Sequence, residues 1–322
     1  MPNGDWFLAE YKRHKTGQFE YVEVRPLSEA EQARIQKAMQ LLRDFSGSAL
    51  IGPLIDALNA LADLLADLPN TGQAEYPRGQ YRSKLNGLLS AALTAFTSFR
   101  ATLEANSRAH GFPLPDGGSA FDNFRTLYRE HPSFRLVHML RNLDQHRPPA
   151  SAVLTISADA DPQTGESRVR AVLDVATVCA RCAAGSEDDR HRVQWEECGA
   201  LWEKQRDSVD ICAVLEAALQ ACHMVLAAHV REAEPWVLQE VRFVADLVVE
   251  VEPYGSAHAV RAVRNEDGRT LTIDTMYLDP IAFGDAIATL DAARKMLGEP
   301  SLGETGLLPG GGTQESETRA HL

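Results

Sequence analysis

The sequence predicts an α+β protein that is mainly helical. Bulky and polar residues alternate near the N-terminus, apolar residues then recur three and four positions apart, and alternation returns beyond residue 150. We expect an N-terminal β-hairpin over residues 1–27 and a helical domain over 28–150. An α+β domain with two hairpins and long helices should follow over 151–298, with a disordered tail over 299–322.

The first predicted elements are a hairpin and a capped helix. Residues 6–24 alternate on both sides of a turn at Lys15-Thr16-Gly17, as in a β-hairpin. Ser28 and Glu31 then form the Ser-x-x-Glu pattern of a capping box, in which the two side chains bond backbone amides at a helix start. This helix should end near Phe45.

Four more helices are predicted before residue 150. Their apolar residues recur at i, i+3, i+4 and i+7, so each helix has one face to bury. The predicted ranges are about 51–68, 80–108, 120–131 and 133–146. Pro148 and Pro149 end the last of these helices, because proline has no amide hydrogen to donate to the helical ladder.

The second half alternates between strands and helices. Period-two patterns predict a hairpin near residues 153–175 and another near residues 257–275. Between them, apolar spacing predicts two helices that pack as a pair, and one more helix follows the second hairpin. These helices are expected over residues 205–231, 234–251 and 280–297.

Composition limits the classes of function. The 322 residues are about twice one domain's usual size, and 44% hydrophobic with 24% charged is near the globular average. A formal charge of −13 disfavours bulk attraction to polyanions but permits a local basic site. No apolar run reaches roughly 18 residues, and the N-terminus lacks a signal-like stretch, so we expect a cytoplasmic protein with no membrane contact.

Common catalytic and metal-binding signatures are absent from the sequence. GxGxxG after a strand, GxxxxGK[ST], HExxH and GxSxG do not occur, which disfavours dinucleotide, P-loop, zincin and nucleophile-elbow enzymes. Cys179 and Cys182 have zinc-ligand spacing, with His191 and Cys198 further along the chain. No second CxxC follows, so buried thiols are favoured, and we predict neither a metal nor a cofactor.

Residues 134–149 carry the most distinctive pattern, FRLVHMLRNLDQHRPP. Four residues separate Arg141 from His146, and Asn142 directly follows the arginine. On a helix, Asn142 and His146 share a face, and Arg141 lies on the adjoining face. The arginine fork suits a phosphate, and the negative end of the helix dipole favours a protonated His146. Residues 117–150 hold five arginines against three carboxylates, so this region is locally basic.

This segment resembles the signature of the HEPN superfamily. HEPN proteins are helical bundles, many of them metal-independent endoribonucleases of toxin–antitoxin and antiviral (phage) defence systems. The resemblance covers at most residues 28–150. It implies RNA cleavage by attack of the 2′-hydroxyl on the adjacent phosphorus. His146 would be the general acid or base, Arg141 would stabilise the phosphorane oxygens, and Asn142 would orient the substrate or the histidine.

The resemblance also has implications for assembly. HEPN motif helices usually face each other across a dimer, which implies a homodimer whose site is built from two chains. Whether the protein has an antitoxin or another operon product as its partner is left open. The resemblance says nothing about residues 151–322.

Two other interpretations stay open. The bundle can be a non-catalytic HEPN-like module for binding or dimerisation, or a regulatory protein. The motif can also be coincidental, with Arg141 pairing with Asp144 while His146 caps the helix C-terminus. His131 and His138 are expected to be packing or surface histidines, because no partner for either is evident in the sequence.

Overall fold

A computed structural model describes residues 5–13, 19–67, 78–112, 120–146, 154–160, 167–202, 208–251, 256–264 and 270–305. Ten helices and seven strands lie in these ranges, which confirms the α+β, mainly helical class. The strands are β1 Asp5–Arg13, β2 Phe19–Leu27, β3 Leu154–Ala160, β4 Ser167–Asp174, β5 Ser208–Asp210, β6 Ser256–Arg264 and β7 Thr270–Tyr277. The helices are α1 Glu29–Asp44, α2 Gly47–Leu50, α3 Gly52–Asp67, α4 Arg78–His110, α5 Ala120–Glu130, α6 Pro132–His146, α7 Val175–Ala184, α8 Asp189–Trp202, α9 Ile211–Glu250 and α10 Pro280–Met296.

The chain divides into two compact units. The terminal unit comprises Met1–Ala49 with Val230–Leu322, and the central unit comprises Leu50–His229. This division differs from the predicted domains 1–27, 28–150 and 151–298. The physical reason is that β1 pairs along its length with β6, so both ends of the chain contribute to one sheet.

The terminal unit contains an antiparallel sheet with the strand order β2-β1-β6-β7. The predicted hairpins near residues 6–24 and 257–275 are confirmed as β1–β2 and β6–β7, although both turns lie outside the described residues. Pro26 lies in β2, an edge strand, where a missing amide donor is tolerated. Helix α1 begins at the predicted capping box: Ser28 Oγ accepts from the Glu31 amide at 3.2 Å, and Glu31 accepts from the Ser28 amide at 3.0 Å.

The central unit is a helical bundle with a three-stranded sheet, β3-β4-β5. Helix α4 packs on α3 and α6, α5 packs on α6, and α8 packs on both α6 and α7. The helices predicted over 51–68, 80–108, 120–131 and 133–146 correspond to α3, α4, α5 and α6. Fully buried side chains such as Phe96, Leu103 and Phe134 form the core between them.

The prediction of two packed helices over 205–231 and 234–251 is wrong. The structure has a single helix, α9, with Pro235 in its interior. Proline removes one hydrogen bond from the ladder, whereas buried Val230, Val237 and Val241 continue the same apolar stripe past it. Three helices, α2, α7 and α8, were not predicted. Val178 and the cysteine pair of α7 form part of its buried stripe.

The disordered tail is predicted over 299–322, but its first residues, 299–305, are ordered. Leu302 is fully buried, its amide donates to Asp291 Oδ1 at 2.7 Å, and Glu299 accepts from Arg231 Nε at 2.7 Å. These bonds order residues 299–305 against α9 and α10. The rest of the predicted tail lies outside the described residues.

One of the described helices is long and apolar enough to span a bilayer by length and composition alone. This helix is α9, whose most apolar window has a mean hydropathy of 1.8. Half of that window is buried inside the protein, as happens in core helices.

Candidate functional site

Helix α6 carries the motif residues and is held by neighbours on several sides. Its first turn is capped by His131, whose Nδ1 accepts a hydrogen bond from the Phe134 amide at 3.3 Å. Its apolar face is buried, with Leu136, Val137 and Leu140 at most 1% exposed. Burial against α4, α5 and α8 therefore fixes the position of α6.

The three predicted site residues lie in the last turns of α6. The helix ends at His146, as predicted, and the structure describes that residue by its backbone only. Asn142 is exposed. Arg141 is half-buried, and its Nε is a buried donor without a hydrogen-bond partner. The convergence of Arg141 with His146, and the pairing of two motif helices in a dimer, stay predictions.

A cavity of about 750 Å³ lies beside α6, between α4 and α5. We call it the arginine cavity. Its lining residues are Arg100, Phe124, Arg125, Thr126, Tyr128, Arg129, Phe134 and His138. Arg125 and Arg129 are i and i+4 on α5, so they share a helix face, and Arg100 comes from α4. The cavity thus combines three guanidinium groups with aromatic rings.

His138 belongs to this cavity as well as to the core. Its ring packs against Phe134 at 4.8 Å between centroids and meets the Tyr128 ring edge-on at 5.8 Å. It is therefore a packing histidine, as expected, but it also lines the arginine cavity. The sequence signal for this second role is its spacing, because His138 lies three and four residues before Arg141 and Asn142 on the same helix face.

The surroundings of His138 and Tyr128 set their protonation states. Burial, together with the positive charges of Arg141 and Arg100, lowers the pKa of His138 to about 4. The imidazole is therefore neutral at neutral pH, with one donor and one acceptor nitrogen. Burial also raises the pKa of Tyr128, whose hydroxyl donates to Met139 Sδ at 3.4 Å.

Two ion pairs hold the charged side chains near the cavity. Arg135, 5% exposed, bonds the Glu197 carboxylate and the Gln194 carbonyl of α8, and its guanidinium lies 5.1 Å from the Tyr128 ring centroid. Arg100 donates through Nε to Glu104 at 2.9 Å. Sequence reasoning missed Arg100, since an exposed arginine on an amphipathic helix carries no local sign of which helix will lie beside it.

The cysteine pattern forms a thiol contact between helices. Cys179 and Cys182 are buried on α7, and the Cys179 thiol is hydrogen-bonded to Cys198 of α8. This bond, together with burial, raises the pKa of Cys179. The fourth predicted candidate, His191, is exposed and lies 3.7 Å from Asp188. Within the described ranges, no group of three His, Cys, Asp or Glu residues could hold a metal ion.

The site therefore offers positive charge, aromatic surface and a neutral imidazole, one helical turn from the motif residues. This combination can bind a phosphate together with a planar ring. Comparison of the chain with protein-family models, with curated proteins and with solved structures finds no match in any of the three.

Proposed function

We propose that this protein is a metal-independent endoribonuclease of the HEPN type, in which the end of α6 cleaves RNA and the arginine cavity binds it. One observation carries the proposal. His138 lines the cavity, and Arg141 is close enough to lower the pKa of that histidine. Positions 138, 141 and 142 follow one another along one side of α6, so a bound strand can contact cavity and motif together.

The charge distribution supports RNA as the substrate. The chain carries a net charge of −13, whereas the cavity holds three arginines and Arg141 is nearby. Arg141 Nε is a buried donor with no partner, and such a group gains most from a charged acceptor such as a phosphate oxygen. The exposed amide of Asn142 can bond the same strand.

The proposed chemistry needs only side chains. The 2′-hydroxyl loses its proton to a base and attacks the adjacent phosphorus, and the bond from phosphorus to the 5′-oxygen breaks. The leaving oxygen takes a proton, so the products are a 2′,3′-cyclic phosphate and a free 5′-hydroxyl. In this proposal His146 is the general acid or base and Arg141 stabilises the charge on the phosphorane oxygens.

The biological setting is part of the same proposal. The enzyme is expected to be a cytoplasmic homodimer in which two α6 helices face each other. A toxin–antitoxin or phage-defence role would follow, with an antitoxin or operon product as the partner.

A second function is favoured by the cavity itself. Its three arginines and several aromatic side chains are the groups that bind single-stranded RNA in other proteins, and they need no contribution from His146. The protein would then be a non-catalytic RNA-binding or dimerisation module that has the same fold.

Cleavage in EDTA distinguishes the two functions. We expect the purified protein to cut RNA and leave cyclic-phosphate ends, and His146→Ala to lose about 100-fold or more in rate. Arg141→Ala should lose a similar factor, and Arg141→Lys should recover only part of it because lysine lacks the planar fork. Arg82→Ala, which removes an exposed arginine near the start of α4, is the control and should cleave normally.

Equal activity in all of these variants would reject the assignment of the motif residues. RNA binding without cleavage in the folded wild-type protein would instead favour the binding module. Circular dichroism and gel filtration on each variant confirm that the fold and the oligomeric state are intact.

A further inference from the structure

We infer that the arginine cavity receives one unpaired nucleotide, with its base against the rings of Tyr128 and His138 and its phosphate on the arginines. This inference rests on the proposed function and deepens it. It makes the substrate a single-stranded stretch of RNA, in which a nucleotide next to the cleaved bond enters the cavity.

The size of the cavity fits one nucleotide. Its volume of about 750 Å³ lies within the range of pockets that enclose a small organic ligand. A base in a duplex is stacked and paired, so it cannot enter a pocket of this size without leaving the helix. Unpaired bases, in contrast, are commonly bound by stacking on aromatic side chains.

The rings of the cavity differ in exposure. Phe124 and Phe134 are nearly fully buried, with 6.1 Å between their centroids. Tyr128 and His138 are only partly buried, with an angle of 87° between their planes. A base can stack on one of these two rings and meet the edge of the other, an arrangement that aromatic groups prefer.

The polar groups offer contacts to both parts of a nucleotide. His138 has a low pKa, so it presents one donor and one acceptor to a base edge at neutral pH. Arg125 and Arg129 line the cavity from adjacent turns of α5, and Arg100 lines it from α4. Guanidinium groups are suited to phosphate oxygens by their planar set of donors.

The position of the cavity relates it to the cleavage residues. His138 is three residues before Arg141, a rise of about 5 Å along the helix axis. A nucleotide on His138 therefore lies beside the phosphate that Arg141 would contact. The cavity thereby selects which phosphodiester is cut, by requiring an unpaired base next to it.

The test is binding of a fluorescent RNA 12-mer that is 2′-O-methylated throughout, which cannot be cleaved by 2′-hydroxyl attack. We expect the single strand to bind about 10-fold or more tightly than the same sequence as a duplex. Arg129→Ala should weaken single-strand binding about 10-fold. It should also make the affinity fall less steeply with rising salt concentration, by the amount expected for about one lost phosphate contact. Tyr128→Leu should weaken single-strand binding by a similar factor without changing how steeply the affinity falls with salt. Arg82→Ala is the matched arginine control and should bind like wild type.

Several outcomes would overturn the inference. Equal affinity for strand and duplex would do so, and so would equal binding by Arg129→Ala and Arg82→Ala. Adenosine monophosphate is tested as a third ligand, beside the single strand and the duplex. If it binds in an Arg129-dependent way while the single strand does not bind, the cavity binds free nucleotides and the inference of an RNA strand is overturned. Because the probe resists cleavage, binding and nuclease activity are measured separately. If the single strand binds as expected but the protein does not cleave RNA, only the proposed function is rejected. If the protein cleaves RNA but does not prefer single strands, only this inference is rejected.

Discussion

The guanidinium of Arg294 in α10 donates two hydrogen bonds to the carboxylate of Glu234 in α9, and the two side chains are only 5% and 4% exposed. The Arg294 Nε lies 2.9 Å from Glu234 Oε2, and its Nη1 donates to the Pro300 carbonyl at 3.0 Å. Arg231 adds a contact of 3.3 Å to the same carboxylate. This network joins α9, α10 and the segment after α10 within the terminal unit.

Removing one partner of this buried pair should be costly. We expect Glu234→Ala to lower the free energy of unfolding by about 3–5 kcal/mol, because the Arg294 charge stays buried without its main partner. The double variant Glu234→Leu with Arg294→Leu should cost less than the single variant. Urea unfolding followed by circular dichroism measures both. Glu232→Ala, an exposed carboxylate in the same helix, is the control; a loss equal to that of Glu234→Ala would contradict this role for the pair.

Glu197 should stabilise the protein more than its neighbour Glu196. Both side chains are 58% exposed, but Glu197 bonds the buried Arg135, whereas Glu196 lies 3.7 Å from the half-exposed Arg192. We expect Glu197→Gln to cost about 1–3 kcal/mol and Glu196→Gln less than about 0.5 kcal/mol. Thermal and urea unfolding of the two variants measure the difference. Equal costs would mean that the bond to Arg135 contributes little to the position of α6.

His229 should make the stability depend on pH. Its ring is 3% exposed, its Nε2 has no hydrogen-bond partner, and burial lowers its pKa to about 4. Above pH 6.5 the imidazole is neutral in both the folded and the unfolded states. Below that pH the unfolded chain binds a proton that the folded protein does not, so stability falls until the pH reaches about 4. Between pH 7 and pH 5 the loss is about 2 kcal/mol for this residue.

The test is urea unfolding of His229→Leu at these two pH values. The variant should lose less stability on acidification than wild type, because the group that gains a proton on unfolding is gone. His191→Gln, which removes an exposed histidine, serves as the control. An unchanged pH dependence in His229→Leu would show that the buried imidazole is not the cause.

The capping box should stabilise α1 by a modest amount. Ser28→Ala removes the hydroxyl that accepts from the Glu31 amide, so we expect a cost of about 1 kcal/mol. Hydrogen bonds from Ser28 also lower the pKa of Glu31. The Glu31 carboxylate therefore stabilises the folded protein fully above its unfolded pKa, and this stabilisation is lost as the pH falls through its folded pKa. Unfolding of Ser28→Ala beside Ser83→Ala, an exposed serine within α4, measures the effect. Equal losses would contradict the cap.

The elements predicted correctly depend on short-range patterns. The Ser28 to Glu31 box lies within four residues, and the apolar stripes of α3 and α4 each repeat within a single helix. The errors arise where two patterns coincide. The spacing of Cys179 and Cys182 fits both metal ligands and a buried helix face; the buried thiols were predicted, but the helix α7 that carries them was not. Pro235 resembles a helix break, yet packing on both sides of it keeps α9 continuous.

The sequence by itself determined the class of the fold, most helix and hairpin positions, and the placement of Arg141, Asn142 and His146 at the end of a helix. Propensity, capping and hydrophobic periodicity act over a few residues, so they can be read locally. The tertiary structure decided that β1 pairs with β6 and that Arg100 of α4 shares a cavity with His138 of α6. Such contacts join distant segments, and they form only when burial of the whole core compensates the entropy lost in closing the intervening loops.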